Sequence, residues 1–266
     1  MSSPPKSPPI TLYRGLPGTG VYTWSPFVIK LEARLRFAGI PYRVEAGSLR
    51  NAPKGKVPYI SIPEPNIHEN PSPPLMGDST MITKTLIERG LVGDLNNKLS
   101  ATEKLHDMSL QALLEEKLYF YGSYEKWVLN YYTMRDVVLG SLPWPVRVVV
   151  GLMIYRKVTR NLLGQGTMLF STEEINSFNR EIWESVDAVL VEARSRYVDR
   201  AREGPFWVWG GDEPTEVDAV LFGFIVSGLV SYAAPNMQRT VRGFPALVDY
   251  ARRIHDRYFP DYALWE

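Results

Sequence analysis

Near Ala101 the pattern of this 266-residue chain changes. Before that point short β-rich runs alternate with single helical patterns, and after it only long helical patterns follow. Such a change is typical of a mixed α/β domain followed by an all-α domain, and the chain is long enough to bury two modest cores. We therefore expect a disordered tail at 1–9, an α/β domain at 10–94, a linker at 95–100 and an all-helical domain at 101–266.

The first part carries strand and helix signals in the order βαβ–ββα. Pro26 suits the first position of a helix, and Gly39 suits the residue just beyond its end. Asp78 or Ser79 stands near the start of a second helix, which ends before Gly90. The predicted elements are a strand at 10–15, a helix at 26–38, strands at 41–47 and 57–63, and a short strand entering a helix at 75–90.

Helical periodicity dominates the second part. It predicts one long helix, straight or kinked, at 102–132, and further helices at 171–197, 214–229 and 244–259. Ser171 and Glu174 form a capping pattern, and so do Thr215 and Asp218, which we assign to folding rather than to chemistry. The apolar run at 146–155 is too short to span a membrane and contains Arg147, so it favours a core helix over membrane contact.

Composition excludes several classes of function. The chain has no cysteine, which removes disulfides, zinc–thiolate sites, iron–sulfur clusters and any thiol nucleophile of its own. Its three histidines are far apart in sequence, so no metal site is expected. The net charge of +1 does not point to nucleic acid. The first residues carry no targeting pattern, and we expect a cytoplasmic protein.

Three short motifs, in this order and spacing, point to a known family. Val57-Pro58 opens the third strand, Gly77-Asp78-Ser79 opens the second helix, and Thr215-Glu216-Val217-Asp218 precedes an apolar helix. The chain resembles the cytosolic glutathione transferases, which join a thioredoxin-like α/β domain to an all-α helical bundle. The resemblance implies a homodimer and a detoxifying transferase that uses glutathione as co-substrate.

A closer resemblance covers most of residues 10–260. The segments that carry it are SPFVIKLEARLRFAGIPY, PKGKVPYI, LLEEKLYF with the following Trp127, and LLGQG leading into STEEI. They are similar to the failed-axon-connections and metaxin-like branch of the same superfamily. That branch implies an alternative function, because some of its members are regarded as structural or membrane-associated proteins rather than transferases.

The resemblance places Ser25 where related enzymes contact the glutathione sulfur with Ser or Cys. The thiol of glutathione has a pKa near that of free cysteine, about 8.5, so a transferase must favour its thiolate. A serine hydroxyl beside the free N–H groups of a helix start suits that task. Ser25 is equally suited to cap the helix that begins at Pro26. Tyr13 and Tyr22 are alternative hydroxyl donors.

The same resemblance implies the remaining contacts of glutathione. The backbone of Val57 would pair with the cysteinyl part beside a cis bond to Pro58. Asp78 and Ser79 would bind the γ-glutamyl end, and their alternative role is to cap the second helix. Two lysines are placed near the ligand or else remain solvated: Lys54 and Lys56.

The electrophile is expected between Ser25 and the first long helix of the second part. Aromatic side chains suit a small, flat, apolar substrate, although each ring can instead fill the helical core. The aromatic residues assigned to this pocket are Tyr22, Trp24, Tyr119, Tyr121, Tyr124 and Trp127. The proline-rich loop at 63–74 is a candidate pocket rim or dimer contact, or neither.

Overall fold

The first part of the chain forms a small mixed sheet with two helices. The computed structural model describes residues 10–16, 18–48, 50–62, 74–198 and 204–265. The elements are β1 Ile10–Tyr13, α1 Pro26–Phe37, β2 Tyr42–Glu45, β3 Tyr59–Ser61, β4 Leu75–Gly77 and α2 Ser79–Glu88. The strand order is β2-β1-β3-β4, in which β1 and β2 are parallel and β3 is antiparallel to both of its neighbours. The predicted βαβ–ββα order is confirmed, with shorter strands.

In the second part, all regular elements among the residues that the structure describes are helices, as predicted. Its helices are α3 Ala101–Leu113, α4 Tyr119–Tyr124, α5 Tyr131–Val138, α6 Trp144–Gln165, α7 Thr172–Val198, α8 Glu216–Val230, α9 Pro235–Arg242 and α10 Pro245–Tyr258. Two π-helical segments, Leu114–Leu118 and Glu125–Leu129, separate α3, α4 and α5. The helix predicted at 102–132 is therefore not one regular α-helix: the π segments interrupt it, and Asn130, with φ −119° and ψ 37°, breaks it. A thioredoxin-like α/β domain followed by a helical bundle is the fold class that the sequence predicts.

Helix α1 lies between two hydrophobic cores. Leu31 and Leu35 pack with Leu12 of β1 in the core beneath the sheet. Ile29 and Ala33 belong to the larger core that the second part builds around α8. Because one helix contributes to both cores, its start is fixed relative to the sheet and to the bundle at the same time.

Helix α8 is the centre of the helical bundle, and its residues from Val217 to Leu229 are all buried. The Asp218 carboxylate accepts hydrogen bonds from the Thr215 backbone N–H at 2.7 Å and from the Thr215 hydroxyl at 3.0 Å. It also accepts from the Val208 N–H at 2.9 Å and the Tyr250 hydroxyl at 2.7 Å. The predicted folding role of this pair agrees with that geometry.

Helix α6 corrects one expectation from the sequence. The run at 146–155 was expected to be a core helix, but Gly151 is its one buried residue. Val149 and Met153 are 60% and 65% exposed. An apolar run alone does not show whether a helix is buried, and here most of the apolar side chains face outward from the bundle.

No single helix within the described ranges is long and apolar enough to cross a membrane; α8 and α9 reach that length and apolarity only as a pair bent by 117°. The tail at 1–9 and nearly all of the loop at 63–74, whose described part is Pro74, lie outside the described residues. The predictions made for those two segments stay predictions.

Candidate functional site

Ser25 precedes α1 and stands in the N-cap position. Its backbone is extended, with φ −94° and ψ 114°, and its side chain bonds none of the N–H groups of the first turn. The Ser25 backbone N–H donates to the Thr23 hydroxyl at 3.4 Å instead. Within the described part of the chain the Ser25 hydroxyl has no hydrogen-bond partner. Half-buried and unpartnered, that hydroxyl lies beside the positive end of the α1 dipole.

A cavity of about 190 Å³ opens in front of Ser25, between the two parts of the chain. From the first part it is lined by the segment that follows β1, by Ser25 and Pro26, and by the Val57 side chain. From the second part it is lined by Leu118, Tyr119, Gly122, Ser123, Lys126, Trp127, Met134, Val138, Phe224, Ser227 and Met237. Most of these side chains are apolar, so the cavity suits a small apolar molecule.

Val57 and Pro58 lie at the edge of this cavity. The bond between them is cis, as the family resemblance implies. The register of β3 and β4 pairs Tyr59 with Gly77 in antiparallel fashion. Val57-Pro58 and Asp78-Ser79 therefore leave the sheet at the same end, next to one another.

Asp78 has a left-handed backbone, with φ +81° and ψ 117°, which is unusual for a residue other than glycine. Its carboxylate accepts from the N–H groups of Thr80 and Met81, both at 3.2 Å, so the capping role is present. Ser79 is only 4% exposed. Strained backbone that surrounding structure holds in place occurs often at binding sites.

The two lysines assigned to the ligand are exposed side chains at this edge. Lys56 Nζ lies 3.9 Å from the second carboxylate oxygen of Asp78. Lys54 has a left-handed backbone with φ +61°. Neither lysine lines the cavity in front of Ser25. Both are exposed, so they are available to a ligand that extends from the cavity along the sheet edge.

The structure brings only part of the predicted aromatic set to the cavity. Trp24, Tyr119 and Trp127 line it. The Trp24 ring stands edge-on to Tyr232 at 4.4 Å between centroids, and the Tyr119 ring lies 4.9 Å from that of Phe27. These contacts fix the planes of two of the three rings.

Tyr22, Tyr121 and Tyr124 were expected at the pocket, and the structure places them elsewhere. The Tyr22 hydroxyl bonds His255 Nδ1 at 2.7 Å within the helical core. Tyr121 is 8% exposed in the same core, and the Tyr124 hydroxyl lies 2.9 Å from that of Thr172. Helical periodicity alone did not show which face of each helix meets the cavity.

Tyr13 and Tyr22, the alternative hydroxyl donors, do not line the cavity. Burial raises the pKa of Tyr22, so its hydroxyl stays protonated, and its partner is His255. Tyr13 stacks on Tyr59, with ring centroids 4.4 Å apart, and does not line the cavity. Ser25 is therefore the one predicted hydroxyl donor that the structure brings to the cavity.

Sequence reasoning missed Lys126, which lines the cavity and is 8% exposed. Its Nζ donates to the backbone carbonyl of Trp24 at 2.9 Å and to the Ser227 hydroxyl at 3.2 Å. Burial lowers its pKa to about 8, an effect that the charge of Glu125 opposes. The only signal in the sequence was a lysine among aromatic residues, in YEKW.

Lys126 lies in the π-helical segment Glu125–Leu129. A π turn holds more residues than an α turn, so side chains in such a segment point in directions that a regular α-helix would not give them. Glu125 and Lys126, its first two residues, are both buried. The Glu125 carboxylate accepts from the N–H groups of Asn236 and Met237 at 2.6 and 3.1 Å, which anchors the segment to the start of α9.

Comparison with known proteins agrees with this geometry. A family described as "Glutathione S-transferase N-terminal domain" matches residues 26–134, and one described as "Glutathione S-transferase, C-terminal domain" matches residues 206–254. The chain belongs to the glutathione transferase superfamily.

One curated glutathione transferase is similar along nearly the whole chain. The isoprene-epoxide–glutathione S-transferase of Rhodococcus sp. (strain AD45) is 28% identical over 262 residues, which cover 94% of this chain and 99% of the relative. The match thus runs through both parts of this chain.

Solved structures of glutathione transferases share the fold. The glutathione transferase GSTFuA2 from Phanerochaete chrysosporium matches with a TM-score of 0.56 and 16% identity, covering 95% of this chain and 99% of the other. Ure2p in complex with glutathione matches with a TM-score of 0.53 and 14% identity, covering 97% and 98%. At this identity the likeness concerns the fold alone.

The described residues contain no group of three or more His, Asp or Glu side chains placed to hold a metal ion. The charged residues that line the cavity are Arg14 and Lys126. Arg14 is 2% exposed and is committed to its own loop, where it donates to the carbonyl oxygens of Gly18 and Val21. Lys126 is thus the cationic group that stands next to the cavity without a carboxylate partner among the described residues.

Proposed function

We propose that the protein is a glutathione transferase that favours the thiolate of bound glutathione at Ser25 and directs it to a small apolar electrophile. The observation that carries the proposal is the Ser25 hydroxyl, unpartnered within the described chain, at the start of α1 and on the wall of an apolar cavity. Glutathione is the co-substrate, and this chemistry needs no metal ion. Glutathione-assisted isomerisation would use the same groups.

Ser25 acts by donating its hydroxyl proton in a hydrogen bond to the sulfur. A thiolate accepts that bond more strongly than a thiol does, and the N–H groups of the first turn of α1 add a positive field. Lowering the thiol pKa by about two units corresponds to about 2.7 kcal/mol of preference for the thiolate. A charge-assisted hydrogen bond together with a helix start is of that size.

The edge beside the cavity would hold the peptide part of glutathione. The backbone N–H and carbonyl of Val57 are available for pairing with the cysteinyl residue, since no hydrogen bond joins them to another described residue. The buried Ser79 hydroxyl and the Asp78 carboxylate suit the carboxylate and ammonium of the γ-glutamyl end. The exposed lysines, Lys54 and Lys56, suit the glycine carboxylate.

A small apolar electrophile fits the remaining volume. The apolar part of the cavity lining includes Tyr119, Trp127, Met134 and Phe224. The relative from Rhodococcus is named for a small epoxide. An epoxide, whose strained ring opens when a thiolate attacks carbon, is the substrate class that this cavity and that similarity both favour.

Calorimetry with glutathione, followed by conjugation assays of wild type and Ser25→Ala, tests the proposal. We expect binding at millimolar glutathione or tighter, with Ser25→Ala reducing kcat/KM by about 10- to 100-fold at neutral pH because less sulfur is ionised. Ser185→Ala, an exposed serine on α7, is the matched control and should leave the rate unchanged. Absence of binding, or a Ser25→Ala variant as active as the control, would refute the assignment.

The alternative is a binding or scaffold protein of the metaxin-like type, which uses the fold without turnover. The closer sequence resemblance supports it, while the unpartnered Ser25 hydroxyl and the buried Ser79 support an enzyme. Tight glutathione binding without turnover across epoxides, aryl chlorides and unsaturated carbonyls would favour the scaffold.

The oligomeric state and the cellular location are predicted from the family. Glutathione transferases are typically dimers, and we infer a homodimer here; light scattering on the purified protein should give twice the mass of 30.3 kDa. A monomer at micromolar concentration would contradict it. A cytoplasmic location stays a prediction, which a fluorescent fusion can check.

A further inference from the structure

The Lys126 ammonium is an unusual group to find beside an apolar cavity. Its side chain is 8% exposed, and it forms no ion pair with a described residue. An ammonium carries three N–H donors, and two of them point to Trp24 O and Ser227 Oγ. One donor is left for a molecule in the cavity.

The position of this ammonium is fixed from several sides. Trp24, whose carbonyl accepts from Lys126 at 2.9 Å, is the residue that precedes Ser25. The Ser227 hydroxyl donates to the same carbonyl at 2.8 Å. Glu125, anchored at the start of α9, fixes the π-helical segment that carries the lysine. Lys126 therefore bonds the residue next to Ser25 and lines the same cavity.

We propose that Lys126 is the proton donor for the oxygen that leaves carbon when the thiolate opens an epoxide. This inference rests on the proposed function. The glutathione sulfur forms a bond to one epoxide carbon, the bond between that carbon and oxygen breaks, and the oxygen receives the electron pair. The Lys126 Nζ–H supplies the proton that turns the resulting alkoxide into a hydroxyl, and neutral Lys126 regains a proton from water.

The surroundings of Lys126 suit this task. Burial lowers its pKa to about 8, so it remains mostly charged at neutral pH and yet releases a proton more readily than an ordinary lysine. The carboxylate of Glu125 opposes that shift, and the other cationic side chain of the cavity, Arg14, is held by its own loop and lies 3.5 Å from Glu32. A buried cation also stabilises a developing alkoxide by charge alone.

Two substrates separate this role from a structural one. Opening isoprene monoepoxide needs a proton at oxygen, whereas displacing chloride from chlorodinitrobenzene needs none. Lys126→Met should therefore lose about 100-fold or more in kcat/KM with the epoxide, the usual size of a general-acid contribution, and less than about 5-fold with the aryl chloride. Lys104→Met, the same substitution at an exposed lysine on α3, is the matched control and should leave both rates unchanged.

The pH profile is a second readout. In wild type, kcat/KM with the epoxide should fall above pH 8 as Lys126 loses its proton, while the rate with the aryl chloride should not fall there. Lys126→Arg keeps a charge that does not titrate in this range, so its epoxide profile should lose the fall.

Each outcome decides the matter. Equal losses on both substrates would mean that Lys126 only positions the Ser25 loop, and would overturn the proposal. So would an unchanged epoxide rate in a Lys126→Met protein that binds glutathione with wild-type affinity and shows the same thiolate absorbance. If the wild-type protein neither binds glutathione nor favours its thiolate, the proposed function itself is wrong. The calorimetry and the Ser25→Ala assay detect that failure independently of the Lys126 variants.

Discussion

Arg34 Nε on α1 lies 2.8 Å from both carboxylate oxygens of Glu216, the first residue of α8. The two side chains are 1% and 16% exposed, and Arg34 also donates to the carbonyl of Gly93. This ion pair joins the sheet-bearing part of the chain to the central helix of the bundle. It lies away from the cavity, so it bears on stability rather than on turnover.

Replacing Arg34 by Met should destabilise the protein by about 3 kcal/mol, because the Glu216 carboxylate, which is only partly exposed, loses its partner. The double variant Arg34→Met/Glu216→Met should recover much of that loss, since no charge is then left buried. Urea unfolding measures both. Lys98→Met is the control, because Lys98 and Glu213 form an exposed pair, 75% and 68% accessible, that is worth about 1 kcal/mol at most. Equal effects at the two pairs would contradict this account.

Asp218 should make stability depend on pH. Burial raises its pKa from 3.8 to about 6, although hydrogen bonds from Thr215, Val208 and Tyr250 oppose the shift. In that pH window the folded protein keeps a proton that the unfolded chain has released, so the contribution of Asp218 to stability declines as pH rises through it. Relative to Asp218→Asn, wild type should lose about 3 kcal/mol of unfolding free energy between about pH 4 and about pH 7. A difference that is constant with pH would contradict the assigned shift.

Tyr22→Phe should separate stability from chemistry. The variant removes the 2.7 Å hydrogen bond to His255 Nδ1 in the core and should cost about 1–3 kcal/mol of unfolding free energy. Its kcat/KM with glutathione and an epoxide should stay within about 3-fold of wild type, because Tyr22 does not line the cavity. If Tyr22→Phe lost as much activity as Ser25→Ala, Tyr22 rather than Ser25 would be the sulfur contact.

Gly223 sets how closely α1 approaches α8. A Cβ at this position would lie 2.5 Å from Pro26 O and 2.9 Å from Lys30 N, both backbone atoms. Gly223→Ala should therefore push the start of α1 outward, lower stability by more than about 1 kcal/mol and reduce turnover through displaced Ser25. Gly164→Ala on α6, where a Cβ meets nothing within 4 Å, should leave activity unchanged and stability equal or higher. Thermal unfolding and initial rates check both; a fully active Gly223→Ala would mean that the contact yields easily.

Local sequence signals predicted where α1 begins and ends and where α7 begins. Pro26 at the start of α1, and Gly39 beyond its end, marked the helix, and the Ser171–Glu174 pattern marked the start of α7, where the Ser171 N–H donates to Glu174 Oε2 at 2.7 Å. These signals act within a few residues. They can be recognised in the sequence alone, because capping and turn geometry depend on residues that are close together in the chain.

What the sequence by itself determined is the order of strands and helices and the place of Ser25 at a helix start, whereas the cis bond before Pro58 was implied by the family resemblance. Only the tertiary structure decided which side chains meet there. Lys126, within a π-helical segment, lines the cavity, whereas the Tyr22 hydroxyl forms a hydrogen bond with Nδ1 of His255, which is distant in sequence. Such choices depend on packing between elements far apart in the chain, which a local pattern does not contain.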